Sequence, residues 1–188
     1  MSLPNRLGQT PTQTVGPYFA IGLVPNRIAL PFAPWATEEI ATEEAEGDRV
    51  TLLGRVLDGD GMPVTDALIE ARQRNARGGW DAAVGFTGYG RAATDEAGQF
   101  RFRTIRPGVA RDDEAPHLWL IVQARGLLGP LVTRAHFADE TERNARDPVL
   151  AAVPVARRAT LLAEPIAPGL YRFDIRLQGP NETVFFDL

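Results

Sequence analysis

The sequence contains no lysine and no cysteine, and all 20 of its basic residues are arginine. Without lysine, Schiff-base chemistry and the phosphate-binding loop of nucleotide hydrolases are excluded, because both depend on the lysine ammonium group. Without cysteine, disulfides, zinc–thiolate centres and thiol nucleophiles are excluded as well. The single serine is Ser2, beside the first methionine, so a Ser-His-Asp hydrolase is not credible.

Strong positive charge and long apolar runs are also missing. The net charge of −4 argues against a nucleic-acid-binding surface. No apolar run approaches the length of about 20 residues that a membrane-spanning helix needs, and the N-terminus lacks the pattern of a signal peptide. Together with the absence of cysteine, these features lead us to expect a cytoplasmic protein that binds neither nucleic acid nor membrane.

What the sequence does contain is typical of short strands joined by turns. It has 188 residues, of which 44% are hydrophobic, with 18 glycines and 15 prolines, enough for one core of ordinary size. Strand patterns and turn signals alternate from Arg49 onward. The predicted strands cover residues 49–57, 67–72, 91–94, 99–104, 117–124, 131–137, 171–178 and 184–186. These predict an all-β fold, an antiparallel β-sandwich with short helical segments, and a closed barrel is the alternative.

Three local predictions refine this scheme. The strand at 117–124 is apolar on both faces and should be central in its sheet. The turn at 95–98 should join its two flanking strands as a hairpin. Asp139, with Glu142 three residues later, resembles the cap of a short helix that ends near Arg146.

The first 48 residues differ in character from the rest. The stretch Thr10–Phe19 reads TPTQTVGPYF, and its two prolines prevent a regular helix or a central strand from running through it. Its apolar residues nevertheless need a surface to cover them, unless the stretch is a disordered tail. We therefore divide the chain into an N-terminal arm and linker at 1–48, which contacts a partner, and a β-sandwich domain at 49–188.

Three motifs together resemble the intradiol ring-cleaving dioxygenases: TQTVGPY at 12–18, Ala-Arg-Gly at 124–126 and YRFDI at 171–175. The C-terminal ETVFFD at 182–187 is similar as well. The likeness extends from about Thr10 to Leu188, and it implies the transthyretin-like sandwich of that family. The arm motif together with the C-terminal strands is specific, whereas Ala-Arg-Gly alone would be a weak signal.

The resemblance implies an enzyme assembled from two kinds of chain. In such enzymes an alpha and a beta subunit pair and build larger symmetric particles. A non-haem ferric ion in the beta subunit binds the aromatic substrate protocatechuate. Oxygen then opens the ring between the two hydroxyl-bearing carbons to give 3-carboxy-cis,cis-muconate, a step of aromatic catabolism in the beta-ketoadipate pathway. The present chain resembles the alpha type.

The family's iron ligands are two tyrosines and two histidines, the histidines arranged as His-x-His on a strand. Residues i and i+2 of a strand face the same way, so this spacing aims two imidazoles at one metal. Here His117 holds the first position, but Trp119 holds the second and cannot ligate iron. Trp80 stands near one tyrosine position, and the loop at 106–116 contains no tyrosine. We therefore predict no metal ligands and no catalytic residue in this chain, with Fe(III) in the beta partner and His117 as a packed core residue.

The resemblance also suggests which residues reach the partner's substrate pocket. The arm segment Thr14, Val15, Gly16 and Pro17 would line that pocket, and Gly16 would allow close approach of the backbone. Arg125 would lie near the pocket mouth, where a guanidinium group can orient a substrate carboxylate. The simpler alternatives are that the arm residues only build the subunit interface and that Arg125 forms an ordinary surface ion pair.

Two other functions remain open on the sequence alone. One is a self-sufficient intradiol dioxygenase made of this chain only, against which the missing ligands count. The other is a non-enzymatic transthyretin-like module that binds a carrier ligand or a partner. The arm motif is the feature that favours the dioxygenase interpretation over this module.

Overall fold

The computed structural model describes residues 8, 10–16, 18–25 and 36–187. Strands dominate, and their order along the chain is β1 (Arg49–Leu57), β2 (Leu68–Arg72), β3 (Tyr89–Ala93), β4 (Gln99–Ile105), β5 (His117–Gln123), β6 (Leu131–Phe137), β7 (Leu162–Ala167), β8 (Leu170–Arg172) and β9 (Ile175–Arg176). The described helices are short: α1 (Phe19–Leu23), α2 (Thr141–Asn144), α3 (Pro148–Ala152), α4 (Val155–Arg158) and a 3₁₀ turn (Ala159–Leu161). The predicted all-β fold with short helical segments is confirmed.

The strands form two sheet regions that are joined through β7. Neighbours follow the order β3-β2-β5-β6-β7-β8-β1-β4, and β9 pairs with β1. The long pairings β1–β4, β2–β3, β2–β5 and β5–β6 are antiparallel, whereas β1–β8, β1–β9 and β6–β7 are parallel. The antiparallel prediction therefore describes the long pairs, and the sheet as a whole is mixed.

One core lies between the two sheet regions. Leu52 of β1 and Phe102 of β4 come from one region, and Leu118 and Leu120 of β5 come from the other; all four are fully buried. Alternate residues of a strand face opposite sides, so Leu118 and Leu120 point into the core while His117 and Trp119 point to the outer face. As predicted, β5 is a central strand, with β2 and β6 on either side.

Two local predictions were wrong. A turn does lie at 95–98, where Gly98 has a φ of +70° that suits glycine, but the strands beside it do not pair. Instead, β3 joins β2 and β4 joins β1, so the turn carries the chain from one sheet region to the other.

The helix at 141–144 does not use Asp139 as its cap. Its N-cap is Glu140, without a side-chain hydrogen bond. The Asp139 carboxylate instead accepts hydrogen bonds from Arg106 Nη2 at 2.9 Å and from the Tyr171 hydroxyl at 2.7 Å. A long-range charge-assisted contact has therefore replaced the local cap.

The C-terminal strands are shorter than predicted. The backbone of 171–178 is interrupted at Phe173 and Asp174, which separates β8 from β9. The segment 184–186 contributes a single bridge between Phe186 and Val132. The elements α3, α4 and β7 were not predicted.

The last part of the predicted linker lies along two open strand edges. Thr37 O accepts a hydrogen bond from the Arg91 amide of β3, and Glu38 O accepts one from the Arg103 amide of β4. Ile40, between them and the core, is fully buried. We call residues 37–41 the edge segment.

Within the described ranges, no helix is long and apolar enough to cross a membrane.

Candidate functional site

The arm and the Ala-Arg-Gly turn, 112 residues apart in sequence, meet in space. The Gly126 amide donates a hydrogen bond of 2.7 Å to the Thr14 hydroxyl. Gly126 has a φ of +91°, a conformation that residues with a Cβ seldom adopt, so glycine suits this turn. We call Thr14, Val15, Gly16, Arg125 and Gly126 the arm–turn surface.

A groove of about 200 Å³ runs beside this contact. Val15 and Gln13 form its arm side, and Leu127, Leu128 and Pro130 form part of the opposite wall. Leu128 is 64% exposed, so this wall presents an apolar side chain to solvent. The surface thus places apolar walls beside the polar Thr14 contact.

Arg125 forms an ion pair with Asp66 through its Nε atom. Its side chain is 54% exposed, and in the described part of the chain its Nη groups donate no hydrogen bond. An exposed ion pair contributes only about 0–1 kcal/mol. The guanidinium group is therefore oriented by Asp66, yet it keeps donors that can meet a carboxylate.

The structure brings some of the predicted site residues together at the arm–turn surface and leaves others apart from it. Thr14 and Arg125 flank the turn, and Val15 lines the groove. Gly16 is exposed, and a Cβ built on it would meet no atom within 4 Å, so no described residue requires glycine there. Pro17 lies outside the described residues. That these residues bind substrate stays a prediction.

A second contact of the arm was not predicted. Arg91 Nη1 donates a hydrogen bond of 3.1 Å to the carbonyl of Leu23, the last residue of α1. Arg91 in turn donates to Glu70 at 2.6 Å and to the Tyr89 hydroxyl at 2.9 Å. Glu70 and Arg91 stand opposite each other in the β2–β3 pair, a register that sequence alone does not reveal.

Tyr89 is protonated in this cluster. Burial, together with the neighbouring Glu70 carboxylate, raises the pKa of Tyr89 to about 12. Its hydroxyl donates to Glu70 at 2.5 Å and accepts from Arg91. The cluster therefore keeps the same hydrogen bonds throughout the neutral pH range and fixes α1 against the sheet.

The other end of β5 carries the histidines. His117 stands opposite His136 of β6, and Trp119 stands opposite Arg134. The two imidazole centroids are 5.0 Å apart, and the Arg134 guanidinium carbon lies 3.9 Å from the centre of the Trp119 ring. We call these four residues the histidine–arginine face.

Both imidazoles are neutral. Burial lowers the pKa of His117, whose Nδ1 lies 2.8 Å from the Ala115 carbonyl oxygen. Burial, with the nearby His117 and the positive charge of Arg134, lowers the pKa of His136 to about 3. Both ring nitrogens of His136 are buried and make no hydrogen bond within the described ranges.

These residues do not fit a ferric centre. No group of three or more His, Asp or Glu residues among those described is placed to hold a metal ion. Trp119 offers no lone pair, and Arg134 adds positive charge where a cation would lie. The hydroxyls of Tyr89 and Tyr171 already donate to Glu70 and Asp139. Trp80, near the expected tyrosine position, stacks with Arg72 and Arg74.

Comparison with known proteins gives a consistent result. A family model described as "Dioxygenase" matches residues 28–179. The chain is similar to the protocatechuate 3,4-dioxygenase alpha chain of Burkholderia cepacia, with 47% identity over 97% of this chain and 98% of that one. It is also similar to the beta chain of the same enzyme from that organism, with 35% identity over 74% of this chain and 68% of the other.

Among solved structures, the dioxygenase domain of a carbohydrate-binding fusion protein from Streptomyces sp. SirexAA-E matches with a TM-score of 0.63. The identity is 28%, and the match covers 92% of this chain and 99% of that domain.

Proposed function

This chain belongs to the intradiol ring-cleaving dioxygenase family, as an alpha-type chain, and from that premise we propose that it is the metal-free subunit of a protocatechuate 3,4-dioxygenase. The family uses Fe(III), which we assign to a beta partner. The histidine–arginine face supports this assignment, because its neutral imidazoles, indole and guanidinium group do not form a ferric ligand set.

The observation that carries the proposal is the hydrogen bond between Thr14 and Gly126. It joins the arm motif to the Ala-Arg-Gly turn, the two motifs that the family resemblance assigns to the partner's pocket. We assign Thr14, Val15 and Gly16 to the arm side of the pocket and Arg125 to its mouth, and the sequence motif adds Pro17 to the arm residues of this assignment. Within the arm and linker, residues 1–48, we assign the partner contact to the arm motif, because the edge segment packs on this chain's own strands.

The chemical role of the surface is binding and orientation. Protocatechuate carries a carboxylate, which the free Nη donors of Arg125 can bind while Asp66 holds the guanidinium group from the other side. The apolar groove walls at Val15 and Leu127 exclude water from the aromatic ring. Fe(III) in the beta partner would supply the oxygen chemistry that opens the ring to 3-carboxy-cis,cis-muconate.

We further propose a cytoplasmic enzyme of aromatic catabolism, assembled from several alpha–beta pairs in a symmetric particle. The absence of cysteine is consistent with a reducing compartment. The similarity to both an alpha and a beta chain is consistent with paired subunits of common fold.

Co-expression with a beta-type chain tests the proposal. The alpha–beta complex should contain about one iron per pair and consume oxygen with protocatechuate, while this chain purified alone should contain no stoichiometric iron and show no turnover. Metal quantification and an oxygen electrode measure the two quantities on the same samples.

Full iron content and activity in the lone chain would establish the self-sufficient enzyme instead. Failure to co-purify with any beta-type chain, combined with inactivity, would favour the non-enzymatic binding module.

A further inference from the structure

The feature from which this inference starts is Arg134, a residue of β6. It is half-buried on β6, and within the described ranges its side chain makes neither an ion pair nor a hydrogen bond. Its Nε atom is buried without a partner, while its guanidinium group stacks on Trp119. Guanidinium groups that are withdrawn from water need acceptors, so this geometry calls for an oxygen ligand.

Arg134 borders a cavity of about 410 Å³. Two more arginines line it, Arg74 and Arg111, together with the carboxylates of Glu114 and Asp147. This volume lies within the range of small-ligand pockets. The loop 106–116, the start of α3 and the outer face of the histidine-bearing sheet line this open cavity. The loop and that sheet are the elements in which the family resemblance expected metal ligands.

The two carboxylates do not satisfy these arginines. Asp147 accepts hydrogen bonds from the backbone amides of Ala115, Val149 and Leu150, so both of its oxygens are engaged. Glu114 accepts from the Ala110 amide at 3.1 Å, and its other oxygen lies 3.6 Å from Arg74 Nε, too far for a good hydrogen bond. Arg111 Nε pairs with Asp113 at 3.0 Å, and Arg74 Nη1 donates to the Gly78 carbonyl at 3.0 Å. The unused N–H donors at the cavity are therefore those of Arg134 and the remaining N–H groups of Arg74 and Arg111.

From this geometry we propose that the cavity is a binding site for a small oxyanion, held by Arg134, Arg74 and Arg111. A carboxylate or a tetrahedral anion such as sulfate supplies acceptors to Arg134, and to the N–H groups that Arg74 and Arg111 do not use within the chain. The inference goes beyond the proposed function, because it does not require the chain to take part in ring cleavage. The proposed anion site lies in the region where the family resemblance expected a metal centre, which the residues present do not fit.

Isothermal titration calorimetry on the purified full chain, with its partner where one co-purifies, tests the proposal in chloride buffer with two probes. Sodium sulfate reports a tetrahedral anion, and sodium benzoate reports a planar carboxylate. Wild type should bind at least one probe saturably, with one site per chain that Arg134→Met removes or weakens at least tenfold. Methionine keeps an apolar side chain over Trp119 but has no charge or N–H donor.

Two further variants distinguish a loss of the anion site from a loss of the folded structure. Arg111 is an exposed loop residue that is 63% accessible, so Arg111→Ala should leave the fold intact and weaken binding about threefold. Arg172→Met removes an arginine outside the cavity and should leave the affinity unchanged. No saturable binding of either probe, or equal affinity in wild type, Arg134→Met and Arg111→Ala, would overturn the proposal.

Discussion

The arm–turn surface and the histidine–arginine face lie at opposite ends of one strand, β5, and differ in almost every physical property. Arg125, just beyond the strand's end, is exposed and keeps free donors. His117, at its start, is buried and neutral, and Trp119 two residues later is covered by Arg134. Seven strand residues span about 20–25 Å, so the two regions do not share a ligand.

The difference teaches how a subunit can keep its role without metal chemistry of its own. At one end of β5 the side chains of the histidine–arginine face pack against one another and border a cavity. At the other end the chain presents an arm, a turn and an arginine outward. In the proposed enzyme, this chain therefore contributes through the surface that it offers to its partner.

Removal of the arm should produce the largest effect. We expect deletion of residues 1–16 to lower kcat/KM of the co-expressed complex by about 100-fold or more. Without the arm, the pocket would no longer hold the substrate in the orientation that the reaction needs. Oxygen uptake with protocatechuate measures the loss.

Deletion of residues 1–9, which retains Thr14 and its bond to Gly126, is the matched control and should keep most of the activity. Equal activity of the longer truncation and wild type would remove the arm from the pocket.

The buried histidine predicts a pH effect on stability. In the folded chain His136 gains its proton only near pH 3, whereas in the unfolded chain it does so near its ordinary value of 6.5. Between these values the unfolded state binds more protons, so His136 lowers the free energy of unfolding as the pH falls. From pH 7 to pH 4.5 its contribution is a loss of about 2–3 kcal/mol.

His136→Leu removes that proton uptake and should show a correspondingly smaller loss over the same interval. Urea unfolding followed by tryptophan fluorescence at both pH values measures the difference. The same acid sensitivity in variant and wild type would show that His136 is accessible to protons in the folded chain.

The variant Arg125→Ala tests substrate binding by the arm–turn surface, at the other end of β5. We expect KM for protocatechuate to rise about tenfold while kcat stays within about twofold, because Arg125 binds substrate and does not contact the reacting atoms. Steady-state oxygen uptake gives both constants.

Arg172→Ala is the matched control, since Arg172 forms a similarly exposed ion pair with Asp174. An unchanged KM in Arg125→Ala would return Arg125 to the class of ordinary surface ion pairs.

The smallest effect is expected at the second contact of the arm. Lysine cannot reach Glu70, Tyr89 and Leu23 together as the guanidinium group of Arg91 does, so Arg91→Lys should loosen α1. We expect faster hydrogen exchange of amides at 19–23 and a rise in KM of about threefold.

Arg101→Lys is the control, because Arg101 forms a more exposed pair with Glu38. Unaltered exchange in Arg91→Lys would show that other contacts hold α1.

The sequence predicted the strands well where turns and alternation are local signals. β1 and β6 have the predicted bounds, and β5 is central because its residues are apolar on both faces. Pairing depends on distant segments, so the expected hairpin at 95–98 was wrong. The Asp139 cap failed for the same reason, because Arg106 and Tyr171 competed for its carboxylate from 33 and 32 residues away.

The candidate site was predictable only in part. Thr14 and Arg125 were named from motifs, and their proximity follows from the fold, through the amide of Gly126. Arg91 and Arg134 were not singled out, because an arginine's role depends on its cross-strand partner, here Glu70 for one and Trp119 for the other. Strand register sets those partners, and no local pattern encodes it.

The edge segment determines which kinds of assembly remain open to this protein. Unpaired strand edges invite foreign strands to add to a sheet, the route to runaway aggregation. Here the chain's own residues 37–41 take hydrogen bonds from β3 and β4, so these edges already have a neighbour. In the proposed assembly, subunits would therefore meet through side-chain faces and arms, and the sheets of neighbouring subunits would not join edge to edge.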